Sequence, residues 1–157
     1  MQPLRIVIDT REQLPYEFPA DRVTSIRRAL AAGDYSLEGR ESEFAVERKS
    51  LADFVQTVIR GRERFHKELA KLKSYRRACV VIEGSMADIT QARYPGGAHP
   101  ASVLGAIISI IVDYGVPVYL CGDCPHGCRF VEGYLRRCAA LAPRPPMENR
   151  ESEEPDP

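Results

Sequence analysis

Residues 33–54 of this chain read GDYSLEGRESEFAVERKSLADF, and they decide the fold. Two short stretches, residues 34–37 and 44–49, flank a polar turn that contains Gly39. This pattern is typical of a β-hairpin, in which a turn reverses the chain between two paired strands. Ser50 and Asp53 then form a capping-box-like pair, which predicts that a helix begins at Ser50. The stretch therefore predicts a hairpin that runs directly into a helix.

The second strand of this hairpin separates two kinds of side chain. Because neighbouring residues of a strand point to opposite faces, Glu47 and Lys49 share one face. Arg48 lies on the other face, together with the apolar residues Phe44 and Val46, which are expected to face the core or a flanking helix. The hairpin therefore predicts a polar face that carries an acid and a lysine.

The sequence on either side of the hairpin alternates strand patterns with helix patterns. A short β-branched run over Leu4–Ile8 predicts a buried strand that ends at Asp9. Residues 23–32 fit a helix by composition, but a strand is the preferred prediction, for a reason given below. The other predicted elements are a basic helix after Gly61, a strand over 79–82, a helix over 101–114, a strand over 116–120 and a helix to about Leu141. Together they predict an α/β fold with a central mixed β-sheet flanked by helices.

Charge divides the chain into two parts, although 22 basic and 22 acidic residues cancel overall. Residues 143–157 hold two basic and five acidic residues, which leaves 20 basic against 17 acidic residues in 1–142. We predict one domain over residues 1–142 and a disordered, acidic, proline-rich tail over 143–157. The most basic segment is 60–77, with eight basic residues against two acidic ones. Such a segment is either a solvated helix face or a contact with nucleic-acid phosphates.

The sequence also limits where the protein is expected to work. No apolar run approaches the length of a membrane span, and the first residues lack the layout of a signal peptide. The five cysteines are therefore expected to be free thiols. These features predict a cytoplasmic protein without a membrane partner, associated with the nucleoid if it is prokaryotic.

Three acids are candidates for one metal site. If the hairpin pairs in register, Asp34 lies near Glu47, and Asp9 reaches the same place from a neighbouring strand end. Carboxylates bind Mg²⁺ or Mn²⁺, and such ions activate water for phosphodiester hydrolysis. Lys49 beside the ion would orient that water or neutralise charge on the phosphate. The alternative is a row of surface ion pairs on a hairpin.

Four collinear segments resemble the nuclease domain of the XPF-type structure-specific endonucleases, which include archaeal Hef. They are VIDTRE (7–12), GDYSL (33–37), ERKSLADF (47–54) and GRERF (61–65). The family signature is Gly-Asp, a gap, and then Glu-Arg-Lys followed three residues later by Asp. The resemblance implies a restriction-endonuclease-like core, metal-dependent cleavage of DNA, and a strand over residues 23–32.

The resemblance also implies roles for individual residues. Asp9, Asp34 and Glu47 match the family's metal-binding acids, and Lys49 matches its catalytic lysine. Arg11 and Arg48 match arginines near the phosphate, although Arg48, on the opposite face of its strand, suits a structural anchor equally well. The last acid of the signature is Asp53, which helix capping explains as well as chemistry does. Predicted DNA contacts are Arg11, Arg60, Arg62, Arg64 and Lys67.

Family members usually continue into a helix-hairpin-helix module that dimerises and grips DNA, where this sequence has its acidic tail. Cleavage of branched or flapped DNA during repair is what the resemblance implies, with a homodimer or another protein supplying DNA-binding modules. The aliphatic helix over 101–114 suits a homodimer or a buried core helix. Two alternatives are a non-catalytic DNA-binding or scaffold subunit and a phage or defence nuclease of the same fold.

A group of thiols near the last helix also suits a zinc site. Cys121, Cys124, His126 and Cys128 have spacings found among zinc ligands. Structural zinc sites usually take two separated pairs of ligands, whereas these four lie at one helix start. Packing of Cys128 and Cys138 as small apolar side chains is therefore the preferred interpretation.

Overall fold

A computed structural model describes residues 2–145 of the chain. Most of the predicted acidic tail, residues 146–157, lies outside the described residues. The strands are β1 (Leu4–Ile8), β2 (Val23–Arg27), β3 (Tyr35–Leu37), β4 (Phe44–Ser50), β5 (Arg77–Glu83) and β6 (Val118–Leu120). The helices are α1 (Leu51–Ile59), α2 (Arg62–Lys73), α3 (Met86–Thr90), α4 (Pro100–Tyr114) and α5 (Cys124–Ala139).

The six strands form one mixed sheet in the order β2-β1-β3-β4-β5-β6. β1 pairs in parallel with β2, and β4, β5 and β6 pair in parallel with one another. β3 is antiparallel to both β1 and β4, so it alone runs in the opposite direction. The start of β3 therefore lies at the same sheet edge as the C-terminal ends of the other strands. The predicted mixed sheet is confirmed.

Helices cover both faces of this sheet and create two apolar cores. On one face α5 packs through Val131 and Leu135 against Phe44 and Val46 of β4. On the other face α1, α2 and α4 cover a core that includes Ala45 of β4. Cys121 and Cys138 are buried in the α5 core and Cys128 packs against it, which confirms that cysteines here pack as small apolar side chains.

The predicted hairpin and the helix that follows it are present. β3 and β4 pair antiparallel, and the Ser50 hydroxyl accepts a hydrogen bond from the Asp53 N–H at 3.1 Å. This bond satisfies one of the free N–H groups at the helix start. Because β4 runs into α1 without a loop, the side chains at the end of β4 have a fixed position relative to α1.

Two predicted strands differ from the structure, and one helix was not predicted. β2 ends at Arg27 rather than at residue 32, because β1 ends at Ile8 and offers no further partner. The last strand begins at Val118 rather than at residue 116, since Pro117 has no N–H to donate. The short helix α3 was not predicted, and it begins at a reciprocal capping box formed by Ser85 and Asp88.

Within residues 2–145, none of the helices combines the length and the apolar content that crossing a membrane requires.

The packing of α5 on the sheet generates a first prediction, that Gly127→Ala destabilises the protein. A Cβ atom at this position would lie 2.2 Å from the hydroxyl oxygen of Tyr16 and 3.1 Å from Cys121 Sγ. Tyr16 and Cys121 are both buried, so neither can move aside freely. We expect the free energy of unfolding to fall by about 1–3 kcal/mol, as for other overpacked cores. Urea-induced unfolding measures this change.

Gly133→Ala in the same helix is the matched control. Beyond its chain neighbours and the backbone of its own helix, a Cβ atom at this position would have no heavy atom of residues 2–145 within 4 Å. Alanine is a better helix former than glycine, so the free energy of unfolding should rise by about 0.5–1 kcal/mol. Equal stability of the two variants would contradict the tight packing of Tyr16 against α5.

Candidate active site

The acids of the candidate site meet at the edge where the parallel strands end. Asp9 follows β1, Asp34 immediately precedes the antiparallel strand β3, and Glu47 lies at the middle of β4. The N–H of Asp9 donates to the carbonyl of Asp34 at 2.9 Å, which joins two of these chain segments directly. The sheet topology therefore brings the chain segments that carry the three predicted acids to one edge of the sheet.

Asp34 and Glu47 are partly buried, and they lie close enough for the charge of one to affect the other. Burial raises the pKa of Asp34 to about 6, although the Arg48 N–H donates to its Oδ2 at 2.8 Å and opposes this shift. Burial also raises the pKa of Glu47 to about 8, and the charge of Asp34 adds to the shift. Two carboxylates that repel each other and are largely removed from water favour a positive charge beside them.

Lys49 supplies part of that positive charge. Its Nζ lies 3.7 Å from Glu47 Oε1, and the two side chains share one face of β4 as predicted. The same Nζ lies 5.1 Å from the centre of the Phe65 ring on α2. Lys49 is thus held between the acidic pair and the α2 layer, with its ammonium group turned toward Glu47.

Asp9 is placed differently from the other two acids. Its Oδ1 accepts the N–H of Leu30 at 2.9 Å, and its Oδ2 accepts Nε of Arg11 at 2.7 Å. Burial raises the pKa of Asp9, but these hydrogen bonds outweigh it and the pKa is lowered. Asp9 is therefore ionised and already paired, and its present contacts fix Arg11 at the rim of the site. Its role as a metal ligand stays a prediction.

Arg48 lies on the opposite face of β4 and does not join the acidic pair. Its Nε donates to Glu83 at 2.8 Å, its Nη1 donates to the Leu14 carbonyl at 2.6 Å, and its guanidinium lies 3.9 Å from the centre of the Tyr16 ring. These contacts connect β5 with the loop after β1. In this arrangement the side chain is a structural anchor, while the backbone N–H of the same residue holds Asp34.

Two further acids belong to this neighbourhood and were not among the predicted site residues. The charge of Glu12 raises the pKa of both Asp34 and Glu47, and the charge of Glu68 on α2 raises that of Glu47. Glu12 is part of the segment VIDTRE, so its motif was a usable signal. Glu68 reaches the site only through the packing of α2, which no local pattern reveals.

The acidic pair fits a divalent cation. Carboxylate oxygens are the ligands that Mg²⁺ and Mn²⁺ prefer, and a cation would relieve the repulsion between Asp34 and Glu47. Among residues 2–145, no three His, Cys, Asp or Glu side chains are close enough to hold one ion together. Mg²⁺ commonly uses one or two carboxylates and keeps several waters, so two protein ligands suit it.

The lack of a three-ligand group among residues 2–145 also concerns the thiols near α5. Cys121 is buried, with its Sγ 3.4 Å from the carbonyl oxygens of Ile82 and Asp123. His126 instead contacts Asp123, its Nδ1 lying 2.6 Å from Oδ1. In the described part of the chain these thiols and His126 therefore form no zinc site.

The predicted DNA contacts lie beside the acidic pair. Arg60, Arg62, Arg64 and Lys67 are exposed around the junction of α1 and α2. Within residues 2–145 none of these four side chains forms an ion pair. A cleft that begins at Lys49 is lined by Asp53, Arg60 and Arg64. These cations are therefore free to contact phosphates next to the site.

Known proteins share this architecture. XPF from Aeropyrum pernix superposes with a TM-score of 0.67 at 24% identity, over 87% of this chain and 65% of that one. The same protein in complex with DNA gives a TM-score of 0.63 at 26% identity, over 87% and 64% of the two chains. The shared fold confirms the predicted restriction-endonuclease-like core. This chain thus spans just under two thirds of these XPF chains.

Sequence comparisons agree with the structural ones. The putative ATP-dependent RNA helicase MJ1505 of Methanocaldococcus jannaschii is 30% identical over 117 residues, which are 74% of this chain and 13% of the helicase. The model of the ERCC4 domain matches residues 8–133, a span that begins at the last residue of β1 and includes Asp9, the hairpin and most of α5. The chain therefore belongs to the ERCC4 domain family, as its resemblance to the XPF-type nucleases predicted.

Proposed function

We propose that this protein is an endonuclease that hydrolyses phosphodiester bonds of DNA with Mg²⁺ or Mn²⁺. The observation that carries the proposal is the pair of partly buried carboxylates, Asp34 and Glu47, beside the ammonium group of Lys49. Membership of the ERCC4 domain family and the fold shared with an XPF that binds DNA support it. A scaffold subunit would have no need to retain two mutually repelling acids in a partly buried position.

Each side chain of the site has a distinct proposed role. Asp34 and Glu47 would hold the ion, and Asp9 adds negative charge nearby. When bound, such an ion polarises a phosphate oxygen and makes water more acidic. Lys49 stabilises the negative charge that develops on the phosphate, because its Nζ already lies at the acidic pair. Arg48 acts through its backbone N–H, which orients Asp34, and is thus a positioning residue.

The proposed DNA contacts lie on the α1–α2 side of the site. Arg60, Arg62, Arg64 and Lys67 offer unpaired positive charge to the phosphates of either strand. Arg11 is exposed and held through its Nε by Asp9, so it presents its guanidinium at the same rim. Such contacts fix DNA without reading its sequence. We infer that the substrate is branched or flapped DNA met during repair, as the resemblance implies.

We also propose that two copies of the chain associate through α4. Ile108, Ile111 and Val112 are exposed by 50%, 46% and 72%, and their spacing of three and four residues places them on one stripe of the helix. The opposite side of α4 is buried through Val103, Ile107 and Ile110. A contiguous apolar stripe on the surface is typical of a contact between proteins.

The first functional prediction concerns cleavage of DNA. Purified protein is incubated with labelled duplex, single-stranded, 3′-flap and fork DNA in Mg²⁺, Mn²⁺ or EDTA. We expect cleavage only with metal, and an Asp34→Asn variant to be at least about 100-fold slower, since it removes a proposed ligand without changing side-chain size. Asp113→Asn, at an exposed position on α4, is the control. Binding without cleavage by the native chain would favour the scaffold alternative.

A second prediction concerns pH and metal, and does not depend on activity. The pKa of Glu47 is raised to about 8 in the folded chain, so the folded state holds a proton that the unfolded state has lost. Stability without metal should therefore fall as pH rises from about 5 to about 8. We expect Glu47→Gln to lack this fall and to exceed the native chain by about 2–4 kcal/mol at pH 9 in EDTA.

Thermal unfolding at pH 5, 7 and 9 measures this difference. Mg²⁺ or Mn²⁺ should raise the unfolding temperature of the native chain at pH 8 and leave that of Glu47→Gln nearly unchanged. Glu38→Gln, at a carboxylate on the far edge of β3, is the control for removal of one charge. A stability gap between native chain and Glu47→Gln that does not change with pH would show that the carboxylate does not titrate as described.

A third prediction tests self-association. Ile111→Glu should lower the mass measured by light scattering from that of a dimer to that of a single chain, because a charge would be buried in the apolar contact. Leu14→Glu changes an even more exposed apolar residue at the other side of the molecule, and should leave the mass unchanged. A native chain that is already monomeric at high concentration would exclude this contact.

A further inference from the structure

A groove beside the candidate site is not used by the proposed chemistry. It lies between α1, α2 and α4 and has a volume of about 380 Å³. Its floor is apolar and includes Phe54, Phe65 and Ile110. Polar side chains also line it, among them Arg62, His66 and Ser109. A concave site with an apolar floor and a few polar groups is typical of a binding site for a small, flat group.

The groove exists because α4 carries small residues where it faces α2. Ser102, Gly105, Ala106 and Ser109 line it at spacings of three and four residues, which place them on one side of the helix. Gly105 is the clearest case, since a Cβ atom there would meet no heavy atom of the described residues within 4 Å beyond its chain neighbours and the backbone of α4. The small residues of α4 thus leave open a space between two helices that are otherwise packed on the same core.

The groove is continuous with the site through Phe65. This ring lines the groove, stands nearly perpendicular to Phe54 with ring centres 6.0 Å apart, and is the ring next to Lys49 Nζ. A group in the groove and a phosphate at Lys49 would therefore lie on two sides of one aromatic ring. Neighbouring parts of a single nucleotide chain can occupy both positions.

Charge at the groove favours nucleic acid over a protein segment. Arg62 lines the groove, and it forms no ion pair within residues 2–145. Arg60, Arg64 and Lys67 are exposed close by. On the far side, His66 Nδ1 lies 2.5 Å from the Tyr114 hydroxyl, so a pair of polar rings closes that end. Sites for single strands combine such cations with aromatic rings that contact bases.

We propose that this groove binds an unpaired nucleobase of the DNA, next to the phosphate that is cleaved. The inference rests on the proposed nuclease function and names the kind of substrate. A base has an apolar face that suits the partly buried ring of Phe65 and a polar edge that suits His66 and Ser109. In intact duplex DNA a base must first leave the stack, whereas an unpaired base near a branch or a gap does so at little cost.

The decisive variant fills the groove. Gly105→Leu places an aliphatic side chain in the open space without a clash at Cβ. Gly133→Leu on α5 is the matched control, because its Cβ is equally unobstructed and it also replaces a helical glycine. Ser102→Leu, at an exposed position of the groove, is a second filling variant in case Gly105→Leu unfolds. Thermal unfolding confirms that each variant is folded.

Binding is measured first, in the Asp34→Asn background so that no DNA is cut. The probe is a gapped duplex with 2-aminopurine as one unpaired base next to the gap. We expect its fluorescence to change on binding, and Gly105→Leu to abolish that change and weaken affinity at least fivefold. Gly133→Leu should behave as the background protein does. An unchanged fluorescence response in Gly105→Leu and Ser102→Leu would overturn the proposal.

Cleavage then separates this proposal from the nuclease proposal. With Asp34 present, Gly105→Leu should lower the ratio of gapped to duplex cleavage at least fivefold, whereas Gly133→Leu should not change it. If the native chain cuts no DNA but still shows the groove-dependent fluorescence change, the nuclease proposal fails and the groove proposal stands. If Gly105→Leu changes the mass of the protein in solution instead of its DNA binding, the groove is a contact between copies of the chain and the proposal is wrong.

Discussion

The hydrogen bond from the Arg48 N–H to the carboxylate of Asp34, 2.8 Å long, is the contact on which the candidate site depends. It holds one partly buried acid, Asp34, beside another, Glu47, although their charges repel. If the Asp34 carboxylate could rotate away from Glu47, the repulsion between them would fall. The metal-free protein would then be more stable. Because this donor is a backbone group of β4, its position follows from the sheet itself. The sheet therefore maintains an unfavourable charge pair in a defined place.

The two faces of β4 have different roles in this arrangement. Glu47 and Lys49 form the polar side of the site, whereas Arg48 is fixed on the other side by Glu83 and by the carbonyl of Leu14. The guanidinium is partly buried, and its several hydrogen bonds compensate for the loss of water. An arginine fixed on one face thus keeps rigid the strand that carries reactive groups on the other. Removing its side chain is therefore expected to disturb the position of β4, and with it that of Glu47 and Lys49.

Those features that depend on neighbouring residues in the chain were predictable from the sequence. Strand alternation placed Glu47 and Lys49 together, and the turn at Gly39 with the cap at Ser50 gave the hairpin and the helix after it. The position of Asp9 and Asp34 at one edge of the sheet was also predictable, because an antiparallel β3 begins at the edge where β1 ends. The end of β2 was not predictable in the same way, because it depends on where its partner β1 ends. The length of a strand therefore depends on its partner strand as well as on its own sequence.

Contacts between distant segments account for the rest of what the sequence did not reveal. Asp9 carries the expected charge, but its hydrogen bonds to Leu30 and Arg11 arise from the course of a loop without a repeating pattern. Glu68 and the groove both depend on the angle at which α2 and α4 pack. The small residues of α4 suggest a close approach to another helix when they are read along the chain. In the structure α2 packs beside these residues without filling the space next to them. The small residues therefore line one wall of the groove instead of a close contact between helices.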